Sequence, residues 1–136
     1  MNVQEVLVRS LLAFTSNSKS KFIQELAVAL KNFQKGQEFR CSVVGSMKEF
    51  LDEIKRPPQL VAIGPAAPRD DFFELLAECR KTWKGILIVL GEKFKDEIVG
   101  ALISYEVRAF QLEADSFFWT SEPLEIIAAC MRSLIR

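Results

Sequence analysis

The feature that most constrains this chain is an alternation of two hydrophobic periods. Short, densely apolar runs are each followed by a longer stretch whose apolar residues recur three and four apart. Leu11-Leu12-Ala13-Phe14 is such a run, ended by Thr15-Ser16-Asn17-Ser18; Phe22, Leu26, Ala29, Leu30 and Phe33 follow at helical spacing, and Gly36 closes that helix. Phe39 to Val43 alternates apolar with polar, as a strand with unlike faces does. Ser46-Met47-Lys48-Glu49 has capping-box spacing, and the helix it opens, marked by Phe50, Leu51 and Ile54, stops at Pro57-Pro58.

The cycle then repeats. Leu60 to Ile63 is apolar at every position and stops at Gly64-Pro65, after which Asp70 or Asp71 caps a helix carrying Phe72, Leu75, Leu76 and Cys79. Ile86 to Leu90 is a second wholly apolar strand, ended by Gly91 and followed by a helix bearing Ile98, Val99, Leu102 and Ile103. Val107 to Leu112 alternates and reads as the fifth strand, and Pro123 opens a last helix with Leu124, Ile127, Met131 and Leu134 on one face.

Strict strand-helix alternation demands a parallel sheet, because each helix carries the chain back across one face to begin the next strand alongside. Strands buried on both faces are continuously apolar, whereas edge strands are amphipathic. The third and fourth strands are of the first kind and the second and fifth of the other, so the expected class is α/β, a doubly wound parallel five-stranded sheet of order 2-1-3-4-5. The 136 residues fit one domain. Residues 1–10 are harder to place: Val6-Leu7-Val8 is either the first strand or a leading extension to a strand at Leu11–Phe14, and the latter is preferred.

Composition narrows the function. Eighteen basic residues balance eighteen acidic ones, which leaves no field to hold a nucleic-acid backbone or an anionic membrane. The chain has no histidine, so histidine triads, most zinc sites and the commonest general base near neutral pH are excluded. Cys41, Cys79 and Cys130 are odd in number, far apart and set in apolar stretches, a pattern of reduced thiols; with no signal segment and no apolar run long enough to span a bilayer, the expected location is the cytoplasm. No cofactor, metal or enzymatic activity is expected.

Two segments are local echoes of a known pattern. Gln59-Leu60-Val61-Ala62-Ile63-Gly64 followed by Pro65-Ala66-Ala67-Pro68, and Val107-Arg108-Ala109-Phe110-Gln111-Leu112-Glu113-Ala114, sit in a layout that resembles the receiver domain of bacterial response regulators over nearly the whole chain. The first looks like that family's third strand with its phospho-acceptor and trailing proline, the second like its fifth strand with a switch aromatic and lysine. A receiver needs an aspartate nucleophile after strand three and an acidic pair after strand one, to hold Mg²⁺ against the charge of an incoming phosphoryl group. The resemblance places Gly64 and Thr15-Ser16 at those positions, Gly91 at the hydroxyl position ending strand four, and Glu113 at the lysine. No Asp or Glu lies between Glu5 and Glu25 or between Glu53 and Asp70, so a shifted alignment does not restore a carboxylate. The resemblance therefore implies a pseudo-receiver, a phosphorylation-independent signalling module that binds a protein partner or a further domain of a longer regulator.

By the same resemblance the output or dimerisation face is helix four, strand five and helix five, with Tyr105, Arg108, Phe110 and Gln111 on it. Phe117-Phe118-Trp119, read as part of the connection after strand five, is either an exposed or semi-exposed aromatic anchor for a partner or a segment that folds back to cover helix four or extends strand five into the core. An alternative function uses the loop after strand one. Ser18 and Lys19, at a helix start in the crevice where doubly wound folds bind ligands, offer an anion site for a nucleotide, flavin or second messenger. The loop lacks phosphate-binding glycines, and a serine-rich helix start also reads as an ordinary cap.

Overall fold

The computed structural model describes residues 7–32, 37–93 and 99–135. In chain order the elements are β1 (Leu7–Phe14), a 3-10 turn at Asn17–Lys19, α1 (Ser20–Lys31), β2 (Gln37–Val44), α2 (Met47–Glu53), β3 (Leu60–Ala66), α3 (Asp70–Thr82), β4 (Leu87–Gly91), α4 (Val99–Gln111), β5 (Ser116–Trp119) and α5 (Leu124–Leu134). All strands are parallel, in the order β2-β1-β3-β4-β5. The expected class and strand order are both found.

Side chains of the central strands alternate between two cores. Leu11, Ala13, Leu60, Ala62, Ile88 and Leu90 meet Ile23, Leu26 and Leu30 of α1 and Ile127 and Met131 of α5. Leu12, Phe14, Val61, Ile63, Leu87 and Val89 point the other way, onto Phe50 of α2, Phe73 and Leu76 of α3 and Ala109 of α4. Burial on both faces explains why β3 and β4 are apolar at every residue. Each fully buried leucine, isoleucine or phenylalanine contributes about 1.5–3 kcal/mol, so the sheet's centre is its most stable part.

Local signals act as their chemistry requires. Ser46 caps α2, its Oγ accepting the Glu49 amide at 3.2 Å. At α3 the N-cap is Arg69, and Asp70 and Asp71 stand in the first helical turn, where carboxylates favour the helix dipole, rather than at the cap itself. The first strand begins at Leu7, so from there on the supposed extension is strand, paired with β2 along its length. Val6, Phe33, Gly36 and Ile98 lie outside the described residues.

The expected fifth strand is the main correction. Val107 to Gln111 is the last part of α4, and β5 is Ser116–Trp119, pairing Val89 with Phe117 and Leu90 with Phe118. Tyr105, Ala109 and Leu112 turn inward at helical spacing while Ile103, Val107 and Phe110 stay exposed, so the apparent alternation is a segment of a 3.6 period. Glu113 then ends the helix in the left-handed conformation, φ 68°, with the Ala114 amide returning to the Ala109 carbonyl at 3.2 Å.

Candidate functional site: the crevice at the carboxyl edge of the sheet

The strand order reverses direction between β1 and β3, and the crevice outside their carboxyl ends is where this architecture binds ligands. A cleft of about 450 Å³ lies there, lined by Phe14, Thr15 and Ser16 of the β1 end, Lys19, Pro65 to Ala67 of the β3 end, Phe72 and Leu75 of α3, and Glu92. Of the residues singled out in the sequence, Thr15 and Ser16 follow β1 and line the cleft, Gly91 closes β4 on the same edge, and Gly64 lies inside β3.

Thr15 is buried and fully used. Its amide donates to the Val44 carbonyl at 3.0 Å and its Oγ1 to the Pro65 carbonyl at 2.7 Å, tying the end of β1 to both neighbouring strands. Ser16 is exposed, and its hydroxyl shares a 2.8 Å hydrogen bond with that of Ser18.

Gly64 is buried with φ +108°, and a Cβ built on it falls 2.1 Å from the Leu90 carbonyl oxygen. It lies in the stretch between Ile63 and Ala66 where the β3–β4 register shifts, after which pairing resumes through the Glu92 amide and the Ala66 carbonyl at 2.9 Å. Only glycine fits so close to a neighbouring backbone at this φ. Gly91 is close-packed for a different reason: its Cβ would meet Phe117 Cζ at 2.7 Å and Trp119 Cζ3 at 3.0 Å, so the end of β4 is bare where two aromatic rings cover it.

Among the described residues the charges in the lining are Lys19 and Glu92, brought together from opposite sides of the cleft with Nζ and Oε2 2.8 Å apart. The proposed anion site is therefore altered, because the Lys19 ammonium already faces a carboxylate. Neither the 3-10 turn nor α1 receives a side-chain cap, so the capping reading of the serines also fails. Among the described residues no group of three or more Cys, Asp or Glu side chains is placed to hold a metal ion.

Glu113 does not belong to this crevice. It precedes β5, at the amino edge of the sheet, where its carbonyl accepts from Arg80 Nε at 3.0 Å and Nη2 at 2.7 Å. With β5 at Ser116–Trp119, the residue that follows the strand at the crevice edge is Thr120, whose amide donates to the Gly91 carbonyl at 3.0 Å. Reading the fifth strand too early in the chain displaced this position.

The aromatic segment is core, not an exposed loop. Phe118 and Trp119 are 6% and 5% exposed and Phe117 is half-buried. Trp119 packs on Phe117 at 4.7 Å between ring centres and on Tyr105 at 6.3 Å, and its Nε1 donates to Glu106 Oε1 at 2.7 Å. A run of three aromatics bounded by Asp115-Ser116 and Thr120-Ser121 carries a strand signal, and these residues form β5 itself rather than an extension of a strand at Val107–Leu112. Tyr105, Arg108, Phe110 and Gln111 lie on α4 rather than on a strand. Tyr105 is half-buried against Phe73, and Arg108 stacks over the Phe73 ring at 4.3 Å while pairing with Asp70 at 2.9 Å. Gln111 is exposed and Phe110 is 50% exposed, in a row with Ile103 and Val107. Cys79 is buried in the α3 core, where desolvation first, and Glu78 second, push its thiol up to about 12. Such a thiol is a packing group and not a nucleophile at ordinary pH.

Five parallel strands in this order, with the crevice between β1 and β3, define a flavodoxin-like fold of the receiver type. No protein-family model matches the chain, and no curated protein matches it in sequence. Solved structures do match. The BeF3-activated N-terminal receiver domain of RstA from Klebsiella pneumoniae superposes with a TM-score of 0.66 at 17% identity, covering 94% of this chain and 98% of that one. The N-terminal domain of the nisin resistance regulator NsrR, a lantibiotic response regulator, gives 0.65 at 17% identity with the same coverages. A cobalamin-binding protein from Desulfitobacterium hafniense gives 0.62 at 14% identity, covering 97% of this chain and 61% of that one. Receiver domains of response regulators thus share this chain's fold.

Proposed function

We propose that this chain is a pseudo-receiver, a signalling module that binds a protein partner or a further domain without itself being phosphorylated, in the cytoplasm and without enzymatic activity. The observation that carries this reading is Gly64. It stands where the resemblance puts the phospho-acceptor, and its φ of +108° and the Leu90 carbonyl 2.1 Å from a would-be Cβ leave room for no side chain at all. Thr15, Ser16 and Gly91 support it, since none offers a carboxylate to a divalent cation.

The surface that remains for a partner, or for a second copy of the chain, is the face of α4, β5 and α5. Ile103, Val107 and Phe110 form an exposed apolar row on α4 with Gln111 and Arg108 beside it, while Phe117 and Trp119 of β5 pack beneath α4 through Tyr105 and Phe118 packs beneath α5. A nucleotide, flavin or second messenger bound through Ser18 and Lys19 is the weaker reading, because the Glu92 carboxylate both occupies Lys19 and repels phosphate. Incubation with Mg²⁺ and acetyl phosphate tests the proposal: the intact mass stays unchanged if it holds, and one stoichiometric, hydroxylamine-labile phosphoryl group overturns it.

A further inference from the structure

We propose that the crevice binds a zwitterionic small molecule, an α-amino acid with an apolar side chain, by inserting its ammonium and carboxylate groups between Glu92 and Lys19. The inference rests on the reading of this cleft as one that performs no phosphoryl chemistry.

Three observations converge on that ligand class. The cleft, about 450 Å³, has the size of a small-molecule site and lies at the switch point of the sheet. Its walls are apolar and largely fixed by the fold: Phe14 and Phe72 are buried, Pro65 and Ala66 end β3, and Leu75 is half-buried on α3. Among the described residues, one opposite-charge pair stands against these walls: Lys19 and Glu92, joined across 73 residues of chain at 2.8 Å, with side chains 37% and 33% exposed. A pair that open is weakly held, because water already solvates much of both groups.

Charge balance then selects the ligand. A simple anion would satisfy Lys19 and leave Glu92 facing it, and a simple cation would do the reverse. A phosphate ester would set two negative charges against the Glu92 carboxylate. A molecule carrying one ammonium and one carboxylate on the same carbon replaces both halves of the pair, so neither protein charge is left unpaired. The Ser16 hydroxyl, exposed on the rim, is a further donor for the ligand's carboxylate, and an apolar side chain is covered by Phe14, Phe72 and Leu75.

Calorimetric titration of the full chain with L-leucine and L-phenylalanine tests this, with N-acetyl-L-leucine, L-leucinamide and inorganic phosphate as controls that carry charge of one sign only. Saturable binding of the zwitterions, at least about tenfold tighter than any control, is the expected result. Lys19→Met and Glu92→Gln each weaken it by about tenfold or more, and Lys19→Arg, which keeps the charge, retains it. Both sites are on the surface, and unchanged urea midpoints establish that the variants fold. The proposal is overturned by no saturable binding up to about 10 mM, by controls that bind equally well, or by variants that bind like the parent. A parallel titration with Mg²⁺ and beryllofluoride separates the two readings: saturable binding there sinks the pseudo-receiver reading, whereas silence in both titrations sinks this one alone.

Discussion

At the amino ends of β4 and β5 a single guanidinium is used completely. Arg80 donates to the carbonyls of Trp83, Gly85 and Glu113 and to Asp115, whose carboxylate in turn accepts the Leu87 amide at 2.8 Å. At the carboxyl ends of the same two strands the chain places Gly91 beneath Phe117 and Trp119, and Gly64 against Leu90. One edge uses its charge to hold strands together; at the other, β3 and β4 carry glycines packed against backbone or beneath rings, and the Lys19–Glu92 pair spans the cleft. In this architecture the carboxyl edge is the one that meets ligands, so the contrast separates an edge built for stability from the edge where a ligand would sit.

The sharpest way to break that comparison is Gly64→Asp, which puts a carboxylate at the acceptor position. The positive φ and the overlap with the Leu90 carbonyl make it destabilising by about 4 kcal/mol or more, read as a fall in the urea midpoint. A well-folded G64D protein would mean the crevice is not built around this glycine. Arg80→Ala tests the other edge. It strands three carbonyls and Asp115 and is expected to cost about 2–4 kcal/mol, with amide exchange accelerating first at Leu87 and Ala114 to Ser116.

Smaller changes sharpen the account. Trp119→Phe keeps the ring packing on Phe117 and Tyr105 but removes the donor to Glu106, an expected loss of about 1–2 kcal/mol in the same denaturation assay. Cys79 gives the weakest effect, visible only in alkali. Its thiol is raised from 9.0 to about 12 in the folded protein, so the folded state binds the proton more tightly. That contribution is complete below the unfolded thiol's value near 9.0 and is lost as pH rises toward about 12. Relative to Cys79→Ala, the parent should therefore lose more stability between about pH 9 and pH 11.

The layout was legible because β3 and β4 are apolar at every residue and each helix before α4 has a polar or proline boundary, so the order of strands followed from burial alone. The stretch from Leu102 to Trp119 was not. Nothing there stops a helix before Glu113, which is itself a non-glycine residue in the left-handed conformation usually signalled by glycine, and a short window of a 3.6 period imitates alternation. That error carried Glu113 into the pocket and pushed Phe117-Phe118-Trp119 out into a loop. The Lys19–Glu92 pair was illegible in a different way, since only the crossing connections of the sheet bring those residues together. Gly64 was singled out in the sequence by its place after an apolar strand, but its contact with Leu90 is a tertiary fact.

The most direct test is the two-dimensional amide spectrum of the ¹⁵N-labelled chain, recorded as Mg²⁺ and then beryllofluoride are added. An emptied crevice predicts that the resonances of Thr15, Ser16, Gly64, Ala66 and Gly91 stay where they are throughout. Saturable shifts centred on those residues would show a working phosphoryl pocket and contradict the account.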